Sequence, residues 1–300
     1  MGHCGLKCQT SEGLAVSIGT KAWRALLEEV YTTPKPGLVD LYSNGAHTDM
    51  DVSTFENSAH ALKPYFIGMA RQGQTLFCSD ENLFTWIRQT GKAAEAAMYQ
   101  ATCGVNTHKG LIFTLGIYCA AAGRCIQRYG YIFESGIREI QQSMTASVLT
   151  RELEEMRTGS FPHGKTPVTN GQKNLNRYGT SGIRGEAIRG YPALWNCALP
   201  EFRKGMKENR DFNLIKLQTL FKLMSCVEDS NVLSRHDPQT LSWVQNRARR
   251  FLKHGGAYAA DAYAKLVLMD QEFIQENISS GGCADLLAAA IFMNMLLEGS

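Results

Sequence analysis

The sequence lacks an apolar run of membrane-spanning length. Its two most apolar stretches, Gly110 to Gly123 and Leu286 to Leu297, fall short of the roughly 18–20 residues a span requires, and read as core helices. It also lacks any CxxC pair. The nine cysteines are scattered, and although Cys4 and Cys8 are close, no second pair follows. That argues against a zinc site and against a disulfide framework, and leaves free, mostly buried thiols in a reducing cytoplasm. Net charge is small: +3 is too little to point to nucleic acid or an anionic membrane as a partner. Met1 to Thr10 carries no apolar segment and no cleavage site, so a cytoplasmic setting is expected. Without a secretion signal, the sequon Asn277-Ile278-Ser279 gives no reason to expect a glycan. Neither a set of alternating strands nor an internal repeat is visible.

What the sequence does have is helical periodicity. The chain has 300 residues, 44% hydrophobic and 20% charged, an ordinary globular composition with enough length for a large core. Trp23, Leu26, Leu27 and Val30 make an apolar stripe that Pro34 and Pro36 stop. Helices are expected over 53–71, 81–101, 106–128 and 133–157, and again over 193–207, 212–224, 238–254, 258–276 and 284–298. The helix over 106–128 is apolar on nearly every face, so it is expected at the centre. The stretch 158–190 is rich in Gly, Asn, Thr, Lys and Pro and reads as a long polar loop. The expected fold class is all-α: one compact multi-helix domain over 1–300, with 1–12 a flexible tail.

Four polar clusters interrupt this pattern. In the first, Thr33 to Asp40 and Asn44 to Asp51 form a loop stiffened by Pro and Gly. It places Asp40, Asp49 and Asp51 within twelve positions, a supply of hard oxygen ligands suited to Mg²⁺. Capping of the next helix by Asp49 or Asp51 is the plain alternative. In the second, Gly104 to Gly110 opens the apolar helix with Asn106, His108 and Lys109, and a Gly-led helix start with positive charge is a ready anion site. A charged pair at the edge of a core calls for a partner. The third cluster, Tyr178 to Glu186, taken alone reads first as a plain surface loop; the alternative is a Gly-hinged strap carrying Arg184, which can grip phosphate with two parallel bonds. The fourth joins Glu228-Asp229-Ser230-Asn231 and Arg235 to Asn277 to Asp285, a second Gly-rich turn into an apolar helix. Gly159 to Thr166 fits the Walker A letters, but a charged helix precedes it and Pro167 follows. A phosphate-binding loop needs a buried strand before it and a helix after it, so the match is read as chance.

TPKPGLVD with NGAHTDMD, then GVNTHKG, then NISSGGCADLL, in that order and spacing, closely resemble the triphosphoribosyl-dephospho-coenzyme A synthase family. The resemblance runs from about Ala22 to Leu297, and YGTSGIRGEA and EDSNVLSR look like family segments too. The last motif departs from the usual SPGGSAD. A proline is missing, which relaxes the turn, and Cys283 replaces a serine. The resemblance implies an all-helical transferase. ATP is attacked at its ribosyl C1′ by the 2′-hydroxyl of 3′-dephospho-coenzyme A, adenine leaves, and the product is the prosthetic-group precursor of the acyl carrier subunit of citrate lyase or malonate decarboxylase.

Displacement at an anomeric carbon passes through an oxocarbenium-like state. It needs a base for the 2′-hydroxyl, a donor for the departing adenine and a clamp on the triphosphate. On that basis Asp40, Asp49 and Asp51 are expected to hold Mg²⁺. Lys35, His47, His108, Lys109 and Arg184 are expected on phosphates, and Asn106 and Asn231 on ribose or base. Asp229 or Asp285 is the expected base, with Asp229 preferred because Asp285 has a capping alternative; Glu186 is a further catalytic candidate. The expected partners are ATP and dephospho-coenzyme A, a downstream transferase that takes the product, and a second copy of the chain in a homodimer. A metal-dependent hydrolase of a ribosyl or phosphoryl bond and a non-catalytic nucleotide carrier are the competing readings.

Overall fold

The computed structural model describes residues 11–158 and 170–298. Among them are thirteen α-helices and no strand. The first five are α1 (Ser11–Val30), α2 (Val52–Thr75), α3 (Asp80–Ala101), α4 (Lys109–Tyr129) and α5 (Glu134–Thr158). Then come α6 (Asn170–Tyr178), α7 (Gly182–Ile188), a π-helical turn (Leu194–Ala198), α8 (Leu199–Lys207) and α9 (Phe212–Met224). The last four are α10 (Ser230–Arg235), α11 (Pro238–Lys253), α12 (Ala262–Gln275) and α13 (Gly281–Glu298).

Three points differ from the sequence reading. Asn170–Tyr178 and Gly182–Ile188 are helical, so the polar stretch is not one continuous loop; the Walker-like letters at 159–166 lie outside the described residues. Ser11 and Glu12, expected in a tail, begin α1. The apolar runs judged too short to span a membrane belong to helices of 21 and 18 residues, long enough by length alone. Their burial identifies them as core helices: 78% and 67% of their apolar windows lie inside the protein.

Those two helices organise the rest. α4 packs against α1, α2, α3, α5 and α13, while α13 runs from α1 and α4 across to α8, α9 and α10. The α2–α4 crossing is unusually close. A Cβ at Gly73 would lie 2.1 Å from the Ala120 carbonyl, and one at Gly123 would lie 2.1 Å from the Ala70 carbonyl. Only glycine lets two backbones approach so far. At the far side of α4, Tyr118 is fully buried and its hydroxyl accepts a 3.0 Å bond from the Trp195 indole N–H. Burying each such ring contributes about 1.5–3 kcal/mol. The starts of α4 and α13 meet at one end of the molecule, beside the loop between α1 and α2.

Candidate active site

That loop is clipped in place from two directions. Asp40, buried, accepts backbone N–H bonds from Lys35, from Tyr42 at 2.6 Å and from Ser43 at 2.9 Å. Asp270 of α12, also buried, accepts from the Gly37 N–H at 2.9 Å and from the Ser43 hydroxyl at 2.8 Å. Gly37 has φ +68°, and a Cβ there would meet the Ile278 carbonyl at 2.1 Å. The loop is thus seated on the turn that leads into α13.

A cavity of about 1140 Å³ opens between this loop, the starts of α4, α10 and α13, and α7. Its wall includes His47, Asp49, Asn106, His108, Lys109, Arg184, Glu186, Asn231 and Asp285. The sequence reading put all of these in the site, and the fold brings them together from five segments. Lys35, Asp40, Asp51 and Asp229 do not line it. Lys35 is 1% exposed and donates from Nζ to Glu29, both to its carboxylate and, at 2.7 Å, to its carbonyl. Its charge is committed to a buried ion pair and does not reach the cavity directly.

The expected metal trio does not converge. Asp40 spends both oxygens on its own loop. Asp51 is the N-cap of α2, accepting from the Thr54 N–H at 2.8 Å. That bond and the Ser53 and Thr54 hydroxyls hold its carboxyl at about 2. Asp49 alone of the three lies on the cavity wall, and it is exposed. Among the described residues no group of three metal-ligating side chains is assembled.

Asp229 and Asp285, the two candidates for the base, differ in their surroundings: one caps helices and the other lines the cavity. Asp229 is 2% exposed. One oxygen accepts from the N–H groups of Asn231 at 2.9 Å and Val232 at 3.3 Å, and the other from Cys283 N–H at 2.8 Å. It caps α10 and ties it to the first turn of α13, with no free face toward the cavity. Burial raises its pKa, and the Cys283, Asn231 and Val232 donors partly offset that. Asp285, by contrast, does line the cavity. Burial, with the negative charges of Glu29 and Asp229, raises its carboxyl well above the ordinary range. It also abuts the other helix start: a Cβ on Gly110 would sit 2.0 Å from Asp285 Oδ2.

His108 is held by a relay. Thr107 Oγ1 donates to Ser58 Oγ at 2.7 Å, and Ser58 Oγ lies 2.7 Å from His108 Nδ1. With Ser58 as the donor to Nδ1, the ring proton sits on Nε2. That N–H is buried and has no partner among the described residues. Burial, then Lys35, lowers the His108 pKa to about 3, so the ring is neutral. A buried donor left unmade costs about 1–3 kcal/mol, which a ligand acceptor would recover. Nearby, Asn106 Oδ1 accepts from the Lys109 N–H at 3.3 Å, and Lys109 Nζ lies 3.0 Å from Glu95.

Arg235, a residue the sequence reading gave no role, braces the opposite lip. Its guanidinium donates to the Ala46 carbonyl at 2.9 Å and to Asn277 Oδ1 at 3.0 Å, and lies 3.2 Å from His47 Nδ1. The same guanidinium lies 3.4 Å from His47 Nε2, which is 3.0 Å from Ser279 Oγ. Burial and Arg235 lower His47 to about 4. Glu186 accepts from the Ala193 N–H at 3.0 Å and pairs with Arg189 at 3.1 Å, so its role on view is structural. Arg184 lies on the cavity wall with no carboxylate in ion-pair range among the described residues, its Nη1 3.5 Å from Met156 Sδ.

No solved structure matches the chain. A probable 2-(5''-triphosphoribosyl)-3'-dephosphocoenzyme-A synthase of Salmonella gallinarum is 37% identical over 278 residues, covering 92% of this chain and 90% of that protein. The 2-(5''-triphosphoribosyl)-3'-dephosphocoenzyme-A synthase of Klebsiella pneumoniae matches at the same identity and coverage. The Escherichia fergusonii protein of the same name is 36% identical over 286 residues, 95% of this chain and 92% of its own. Residues 15–300 match the family described as ATP:dephospho-CoA triphosphoribosyl transferase, and the chain belongs to that family.

Proposed function

We propose that this chain transfers the 5-triphosphoribosyl group of ATP to the 2′-hydroxyl of 3′-dephospho-coenzyme A and releases adenine. The observation that carries the reading is the meeting of the α4 and α13 starts on one cavity, where Asp285 abuts Gly110. A carboxylate there stands beside a helix N-terminus suited to phosphate. Family membership and the relatives' names supply the substrates.

In this reading Asp285 takes the proton of the attacking 2′-hydroxyl. A carboxyl with a raised pKa is the stronger base, and bound cations restore its ionised form. The α4 N-terminus, Lys109 and Arg184 hold the triphosphate, while the neutral His108 offers Nε2–H to a substrate acceptor. His47, Asn231 and Arg235 shape the other lip. Asp229 is a positioning residue that fixes the turn bearing Asp285. The residues fit a Mg²⁺ carried on the triphosphate with Asp49 as its protein carboxylate, an arrangement common for this ion, better than a protein-built cage. When bound, the ion would neutralise phosphate charge.

The setting we propose is the cytoplasm, which the seven free thiols among the described residues support. The product keeps a triphosphate, so a second transferase that displaces it is the partner this chemistry calls for. A homodimer belongs to the same proposal, with light scattering as its check. The transfer itself is tested by incubating ATP, Mg²⁺ and protein with and without dephospho-coenzyme A and analysing by mass spectrometry. Adenine together with a coenzyme adduct heavier by one triphosphoribosyl unit is expected. Adenine or phosphate released equally without the acceptor overturns the transfer in favour of hydrolysis.

A further inference from the structure

Cys197 lies in the π-helical turn and Cys226 in the turn that follows α9. The two are 29 residues apart in sequence, yet their sulfurs are 3.1 Å apart. Both are on the cavity wall, with Cys226 exposed and Cys197 partly so. Neither has a part in the transfer chemistry above. We infer that Cys197 and Cys226 form a hydroperoxide-sensitive thiol pair that closes to a reversible disulfide across the wall of the cavity.

The surroundings favour Cys226 as the attacking sulfur. The hydrogen bond from Cys197 is the main influence that lowers its pKa, and Lys222 adds to it against the opposing effect of burial; the result is about 7. The same contact raises Cys197, which therefore keeps its proton and acts second. Cys119, Cys125 and Cys283 are buried, and burial pushes each of their thiols up. Thiolate character and access decide which cysteine oxidises first.

The chemistry balances with a hydroperoxide as oxidant. The Cys226 thiolate attacks the peroxide, an S–O bond forms, the O–O bond breaks, and the departing oxygen takes a proton to leave as alcohol or water. The Cys197 sulfur then attacks the sulfenic sulfur. The S–S bond forms, the S–O bond breaks, and water leaves with the Cys197 proton. Two thiols and one hydroperoxide give one disulfide, one alcohol or water, and one water.

A disulfide needs its sulfurs about 2.05 Å apart, so they must close by roughly 1 Å. Closure draws the π turn, with Asn196, toward the segment that carries Glu228 and Asn231. Shifts of about 1 Å in a working site cost up to about 10²-fold in rate. The effect on turnover rests on the transferase reading; the oxidation itself does not.

The test uses the full chain, reduced and then treated with hydrogen peroxide, followed by non-reducing digestion and mass spectrometry. A Cys197–Cys226 cross-linked peptide, lighter by two hydrogens and reversed by dithiothreitol, is expected. Cys226→Ser should abolish it, and Cys103→Ser should leave it intact. Oxygen adducts on Cys226 without the cross-link overturn the proposal. Should Cys226→Ser fail to fold, alkylation of the unsubstituted chain decides: Cys226 must react ahead of the exposed Cys103 at neutral pH, and equal rates overturn the pair. Turnover should fall about tenfold or more with the cross-link and return on reduction; unchanged turnover in fully cross-linked protein overturns the link to the cavity. A chain inactive even when reduced sinks the transferase reading and leaves the cross-link result readable.

Discussion

The starts of α4 and α13 look alike in sequence, each a Gly-rich turn that opens an apolar helix, yet they are finished differently. At α13 the Cys283 N–H is already taken by Asp229, reaching in from the start of α10. At α4 the N-cap is His108, with no side-chain cap bond, and Asn106 reaches only the Lys109 N–H at 3.3 Å. One helix start is engaged by the protein's own carboxylate; at the other, among the described residues, no carboxylate takes a backbone N–H. The difference is supplied by a residue 54 positions away from Cys283, so tertiary contact decides whether a helix start is capped.

Removing the carboxylate that borders both starts should have the largest effect. Asp285→Asn is expected to cut adenine release by 10²–10⁴, about 3–5 kcal/mol of transition-state stabilisation; a loss of only a few-fold ends its role as base. Because its pKa is raised in the fold, ionising Asp285 destabilises the protein as pH rises above the ordinary carboxylate range. The same variant should therefore unfold at a higher temperature at neutral pH, measured by calorimetry. Opening the closed start comes next. Asp229→Ala removes the caps of two helices, each worth about 0.5–2 kcal/mol, and should lower unfolding free energy in urea by about 1–4 kcal/mol. Unaltered stability with a 10²-fold rate loss would return Asp229 to the role of base.

Gly110→Ala forces Asp285 aside at the seam between the two starts. The displaced atom is the end of a movable side chain, so circular dichroism and melting should stay near the parent's while turnover falls about ten- to a hundredfold. Full activity would show that the carboxylate's position is not critical. The smallest effect is the acid titration at the α4 start. His108 at about 3 and His47 at about 4 sit below their ordinary 6.5. The unfolded chain binds those protons first, so their contribution is present above about 6.5 and is lost as pH falls through about 4 and then about 3. His108→Gln should flatten that slope in urea titrations; an unchanged slope removes His108 from the account.

Long periodic segments told the truth about themselves. The helices expected over 81–101 and 212–224 are found at Asp80–Ala101 and Phe212–Met224, because each repeats its apolar residues over several turns. Short polar helices were hidden: α6, α7 and α10, of 9, 7 and 6 residues, carry too few apolar positions to show a period. The lining of the cavity was legible as a set of positions. His47, Asn106, His108, Asn231 and Asp285 all reach the cavity, since Gly-rich polar turns are what a sequence shows at helix ends. Roles were not legible. Whether a carboxylate caps or faces the cavity depends on N–H groups brought in by tertiary contact, as Asp229 and Asp40 show. Arg235 stood within the fourth cluster, but its bracing of Ala46, His47 and Asn277 spans up to 189 positions, and no local pattern announces it. The pairing of Cys197 with Cys226 was equally invisible.

The glycine crossing of α2 and α4 also sets what a protein engineer or natural drift can change. Gly73 and Gly123 leave no room for a methyl group against the facing carbonyls, so the pair behaves as a welded joint, and the cavity-facing end of α4 inherits its fixed address. Variation in the cavity wall must then accumulate away from that joint, at positions such as Arg189 and Asn196. A mutational library aimed there would vary the cavity without loosening the frame that holds the α4 start.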